Sequence, residues 1–196
     1  DYAQRASQLS DAIIAHRHYL HQHAELSLKE TKTTAYLTSQ LQALGIPVQT
    51  FEDYPGCIAT IQGGKPGKTV LLRADIDALP IQENSGVDFQ SQTPGVMHAC
   101  GHDCHASMLL GAAQLLWESR DELSGTVKLL FQSGEEVFIG SHYYWDKGHL
   151  KDVDAAMGMH VWLSAPNGKL CIQDGPLMAS CDNFKITVHG VSCHGS

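Results

Sequence analysis

Val127-Lys128-Leu129-Leu130-Phe131-Gln132-Ser133-Gly134-Glu135-Glu136 decides how the rest of this 196-residue chain is read. The run from Val127 to Phe131 is almost continuously apolar, as a strand covered on both faces requires. Two carboxylates follow it directly. Neighbouring side chains at a strand end point opposite ways, so one carboxylate can ligate a cation while the other faces a reacting water. An acidic pair is ordinarily a solvated loop, and its place behind a buried strand sets this one apart.

Two more apolar runs end the same way. Thr69-Val70-Leu71-Leu72-Arg73 leads to Asp75-Ile76-Asp77, and Ala155-Ala156-Met157-Gly158-Met159 leads to His160. Between the first and second strands, residues 103–119 are rich in Ala, Leu and Met and read as a helix. Strand, helix, strand, helix, strand is the pattern of an α/β sandwich. Ligands in such folds sit beyond the carboxyl ends of the strands. Three separate strands thus bring metal-type side chains to one edge.

The loop before the helix reads His98-Ala99-Cys100-Gly101-His102-Asp103-Cys104-His105. A lone Cys-x-His is a buried thiol beside a helix cap; with Asp103, His105 and Glu135-Glu136 it becomes a candidate metal set. A closed structural zinc site favours paired Cys-x-x-Cys spacing, which is absent. Cys104 reads as a helix-core residue rather than the partner of Cys100 in a redox pair. His160 alone reads as a satisfied core histidine. Asp75 and Asp77 are candidates to orient a ligand, and Arg73 to form a structural ion pair.

Composition closes off other classes. Lys and Arg number 13 against 21 Asp and Glu, giving a net charge of −8 without a basic cluster, so nucleic acid is not an expected partner. No apolar stretch approaches the roughly 20 residues of a membrane span. Six cysteines in a chain of this size read as reduced thiols, with disulfides open if the protein is exported. The expected location is cytoplasmic, or periplasmic or secreted if a leader was removed before Asp1.

Residues 2–22 read as one helix from Ala6, Leu9, Ile13 and Leu20, and a second helix carries Leu37, Leu41 and Leu44 to a stop at Gly45. An extended segment begins at Ile46. Cys57-Ile58-Ala59-Thr60-Ile61 is a strand, joined to the one at 69–73 by a hairpin-type connection through Gly63-Gly64-Lys65-Pro66-Gly67. His16, His18, His21 and His23 fall on more than one helix face and read as mostly surface. Phe184, Ile186 and Val188 alternate with polar residues as a half-exposed strand.

The motifs together make the chain similar to a known family. His21-Gln22-His23-Ala24-Glu25-Leu26-Ser27, Leu72-Arg73-Ala74-Asp75-Ile76-Asp77-Ala78-Leu79-Pro80 and Gly95 through Asp103 come first. Phe131-Gln132-Ser133-Gly134-Glu135-Glu136, Gly158-Met159-His160-Val161 and Gly190 with His194-Gly195-Ser196 complete the series. In that order they resemble the metal-dependent amidohydrolases that include hippurate hydrolase and the plant indole-3-acetyl-amino-acid hydrolases. These belong to the superfamily of glutamate carboxypeptidase and aminoacylase.

The resemblance implies a three-layer α/β/α sandwich with a mixed, mostly parallel sheet. It implies a metal-binding catalytic domain over 1–181, with 182–196 as the first strand of a lid and dimerisation domain. Cys100, His102, Glu136 and His160 would hold two divalent cations (Zn, Mn, Co or Ni), Glu135 would be the general base and acid, and Asp77 the orienting aspartate. His194 would reach an active site, typically the partner subunit's, to stabilise an oxyanion. The implied reaction is hydrolysis of an N-acyl amino acid or dipeptide by an enzyme that dimerises through its lid.

The chain departs from the family's pattern in three places. Ser133-Gly134 stands where the family has Pro-Ala, His23-Ala24 where it has His-Pro, and Ser141-His142-Tyr143-Tyr144-Trp145 is bulkier than expected. The family's further metal-ligand histidine falls outside these residues. Two rivals stand beside hydrolysis: a metal-binding or regulatory module without turnover, and thiol catalysis by Cys100 with His102 or His160.

Overall fold

Continuously apolar runs become central strands because they can be covered from both sides. In the computed structural model, which describes residues 1–180 and 182–195, β3 (Lys65–Asp75) pairs parallel with β4 (Ser124–Gln132), Leu72 opposite Leu129 and Asp75 opposite Gln132. β5 (Ala155–Gly158) adds to the other side of β3, again parallel. β2 (Gly56–Gln62) pairs antiparallel with β4 and with β1 (Val48–Thr50), giving the sheet order β1-β2-β4-β3-β5.

Alternate side chains leave opposite faces of a strand. Cys57, Ala59, Ile61, Ala74, Leu129 and Phe131 face one core, with Leu20 of α2 (Ser10–Gln22), Leu37 and Leu41 of α3 (Thr31–Ala43), and Leu109, Leu110 and Ala113 of α4 (His102–Glu118). Ile58, Leu71 and Leu130 face the other side against Tyr144 of α5 (Gly140–Asp146). The sandwich therefore has three layers around a mixed sheet. Each fully buried leucine contributes about 1.5–3 kcal/mol.

The connection after β2 is not a hairpin. β4 lies between β2 and β3, and residues 63–67 cross its start. Gly63, Gly64 and Lys65 donate backbone hydrogen bonds to Gly125, Arg120 and Leu123. A Cβ at residue 64 would collide with the Asp121 carbonyl, so the glycine serves a close backbone crossing. The expected helix over 2–22 is two helices, α1 (Tyr2–Gln8) and α2, broken at Leu9. α3 ends as expected at a left-handed glycine, Gly45, with φ +84°.

The chain divides into two compact units, Asp1–Val161 and the residues from Trp162 onward. The boundary read at 181 falls within the second. There, Phe184, Ile186 and Val188 are exposed and not part of a strand. Cys181, one of the six cysteines, and Ser196 lie outside the described residues. Among the described residues no helix is long and apolar enough to cross a membrane, and Cys57, Cys100, Cys104, Cys171 and Cys193 are free thiols.

Candidate metal centre

The parallel strands β3, β4 and β5 end on one edge, and α4 begins there. Gly101 precedes α4 at φ +87°, a backbone conformation that favours glycine, and a Cβ on it would strike the Val161 side chain. The turn delivers His102 into the first turn of α4, fully buried. Its Nδ1 lies 2.8 Å from the Asp77 carbonyl oxygen and 3.2 Å from Asp77 Oδ1, so Nδ1–H donates to both. Asp77 Oδ2 accepts from Ser27 at 2.7 Å and from the Glu136 amide at 2.9 Å. One carboxylate thus fixes the imidazole and the start of the Glu136 loop together.

The other nitrogen of His102 faces acceptors. Nε2 is 3.6 Å from Asp75 Oδ2, 3.7 Å from Glu136 Oε1 and 3.9 Å from Glu135 Oε2. His102 Nε2 and Glu136 Oε1 are both buried without a hydrogen-bond partner. A buried orphan atom of this kind costs about 1–3 kcal/mol unless something completes it. Burial disfavours charge on His102, but the hydrogen bond to Asp77 and the field of Asp75, Asp77 and Glu136 raise its pKa overall. The field that draws a proton toward Nε2 draws a metal cation equally well.

Cys100 Sγ lies 3.4 Å from His160 Nε2. Burial, then the charge of Glu136, pushes the Cys100 thiol up to about 12. A cation at the sulfur reverses that penalty, because a coordinating thiol is held deprotonated. Burial and the charge of Asp75 likewise raise the Glu135 carboxyl.

Among the described residues, three groups have ligand atoms all within 4.8 Å of one another: Cys100-His102-His160, His102-Glu135-Glu136 and Asp75-His102-His105. The five residues Cys100, His102, Glu135, Glu136 and His160, read from three separate segments, are therefore gathered in one place. Asp77 stands directly behind them. His194 belongs to the second unit. Arg73 forms its ion pair with Asp75 at 2.7 Å.

Sequence reasoning missed the supporting roles of three residues. Glu30 is fully buried and accepts from Ser133 Oγ at 2.8 and 2.7 Å and from the Gly134 amide at 3.1 Å, anchoring the turn that precedes Glu135. His21, expected at the surface, is buried between Asp103 at 2.9 Å and Glu83 at 3.1 Å. His105 bridges Asp75 and the Val161 amide. The one available signal was His21's place in the first quoted motif; the partners lie too far along the chain for periodicity to find them.

Comparison with known proteins agrees with this geometry. Residues 71–192 match the model of peptidase family M20/M25/M40, and the chain belongs to that family. It is 45% identical over 192 residues to thermostable carboxypeptidase 2 of Saccharolobus solfataricus, covering 96% of this chain and 49% of that protein. It is 42% identical over 185 residues to the N-acyl-L-amino acid amidohydrolase of Geobacillus stearothermophilus, covering 94% of this chain and 50% of that one. The crystal structure of a dinuclear metal-binding M20 peptidase from Bacillus subtilis superimposes with a TM-score of 0.84 at 40% identity, over 87% of this chain and 48% of its own. The chain spans about half the length of the relatives it matches.

Proposed function

We propose that this chain carries the metal-binding catalytic part of an amidohydrolase that cleaves the amide bond of N-acyl amino acids. The gathering of Cys100, His102, Glu135, Glu136 and His160 around the orphaned Nε2 of His102 carries the reading. Relatives named as an N-acyl-L-amino acid amidohydrolase and a carboxypeptidase support a substrate whose amide adjoins an amino acid.

Cys100, His102, Glu136 and His160 would hold two divalent cations, a mixed thiolate, imidazole and carboxylate set suited to Zn, Mn, Co or Ni. When bound, the cations supply Lewis acidity that polarises the amide carbonyl and acidifies water. Asp77 keeps His102 in the tautomer that presents Nε2. Glu135 takes the proton of the attacking water and returns it to the leaving nitrogen, a role typically contributing about 10²–10⁴-fold. His194 would donate to the oxyanion, in a dimer formed through the second unit. Catalysis by the Cys100 thiol is disfavoured, because its sulfur stands with His102 and His160 as a cation ligand.

Glu135→Gln in the full-length native protein tests the assignment. The variant should bind cations as the parent does and lose at least about 10²-fold in hydrolysis of N-acyl amino acids. Turnover at the parent rate would refute the base.

A further inference from the structure

We infer that His105 is a positioning residue, which through Asp75 and the Val161 amide aims His160 at Cys100. The inference rests on the metal-centre reading above and assigns a role to a histidine that is not itself a ligand.

His105 sits one turn into α4 and is buried. Its Nδ1 contacts Asp75 Oδ1. The other oxygen of Asp75 takes the Arg73 guanidinium at 2.7 Å, so the carboxylate is ionised and can only accept. The proton of His105 is therefore on Nδ1, and its Nε2 is an acceptor. Val161 N–H donates to that Nε2 at 2.9 Å. Arg73, Asp75, His105 and the 160–161 backbone form one directed chain across β3, α4 and the end of β5.

The Val161 peptide is held a second way. Its side chain packs where residue 101 would carry a Cβ. Val161 O accepts from His160 Nδ1 at 2.6 Å, which leaves Nε2 as the ligand nitrogen, 3.4 Å from Cys100 Sγ. His105 thus holds Val161 by its N–H, and the carbonyl of that same residue, on the next peptide, sets the tautomer of His160. With both its nitrogens engaged, His105 has none to offer a cation, which removes Asp75-His102-His105 as the working metal group.

Two substitutions separate this role from bulk. In His105→Asn, the carboxamide nitrogen replaces Nδ1 and keeps the Asp75 hydrogen bond, but nothing accepts from Val161. In His105→Gln, the carboxamide reaches the Nε2 position and accepts from Val161 again. In the full-length native protein, titrated with Mn²⁺ or Zn²⁺ and counted by metal analysis, Asn should weaken one of two cations about 10–100-fold. Gln should bind both as the parent does. Parent-like binding by Asn, or equal weakening by Asn and Gln, would overturn the role of His105. A parent protein that holds no divalent cation would instead overturn the metal-centre reading beneath it.

Discussion

His102 and Asp103 are neighbours in the first turn of α4, both buried, yet each belongs to a different network of histidines and acids. His102 joins Asp75, Asp77, Glu135 and Glu136. Asp103 joins His21, Glu83 and Arg17, with His21 Nδ1 at 2.9 Å, its Nε2 at 3.1 Å from Glu83 and Arg17 Nε at 3.1 Å. Glu83 also accepts from the Ser91 amide at 2.6 Å and from Ser85. The two networks use the same residue types around a buried histidine. They differ in what is left over: His21 and its acids are all partnered, whereas His102 Nε2 and Glu136 Oε1 are not. A buried His/acid cluster is a staple when its hydrogen bonds close on themselves and a candidate site when they stop short around one point.

Exchanging the two histidines for alanine breaks that comparison most sharply. His102→Ala should abolish binding of divalent cations and leave the cation-free fold standing, because Asp77 keeps Ser27 and the Glu136 amide. His21→Ala should leave cation binding intact and cost about 3–5 kcal/mol, since Asp103 and Glu83 lose the charge between them. Metal analysis and denaturant unfolding of the cation-free proteins read the two effects. Equal loss of stability in both would erase the distinction.

Glu30 gives a smaller effect of the opposite sign. Burial raises its carboxyl from 4.5 to about 7 despite the Ser133 hydrogen bonds. A carboxyl raised in the folded state contributes stability that is lost as pH rises through the folded value. Glu30→Gln should therefore stabilise the cation-free protein by roughly 1–3 kcal/mol at pH 9 and change little at pH 5. An unchanged difference across that range would show that Glu30 does not titrate there.

The His21 network itself should respond to pH more gently. The hydrogen bond to Asp103, opposed by burial, raises His21 above 6.5, so its share of stability is full below 6.5 and fades as pH climbs through the folded value. Burial pushes Asp103 and Glu83 up, but hydrogen bonds from His21 to Asp103 and from Ser85 to Glu83 hold them below 3.8 and 4.5. Their share is full above those values and lost as pH falls. The network stabilises most between about 4.5 and 6.5, and His21→Gln should flatten the decline on the alkaline side. A parent-like slope in that variant would place the titration elsewhere.

What could be read from sequence followed from how local the cause was. β3, α4, β4 and β5 announce themselves because apolar runs and helical spacing are short-range signals, and their acidic or histidine endings showed where the site lies. Glu135, Glu136 and His160 were legible because strand direction sends them to one edge; Cys100 and His102 stood out as a candidate metal set in the loop that enters α4, and the resemblance joined the two groups. Leu9 carries no glycine or proline to mark the break between α1 and α2. His21 looked like a surface histidine because Glu83 and Asp103, which bury it, stand 62 and 82 positions away. The hairpin expectation failed for a like reason: two adjacent strands and a glycine turn look complete until β4 claims the space between them.

That insertion governs how the molecule is made. β2 and β3 are made before the strand that fills the slot between them, and β4 emerges only after all of α4. At about 5–20 residues per second of synthesis, the slot stays empty for several seconds. Closing it late builds a parallel pairing, which is intrinsically slow. The crossing glycines make room for residues 120–125 when that segment arrives, so a bulky side chain at residue 64 should act first as a lesion of biogenesis, lowering the yield of native protein more than its eventual durability.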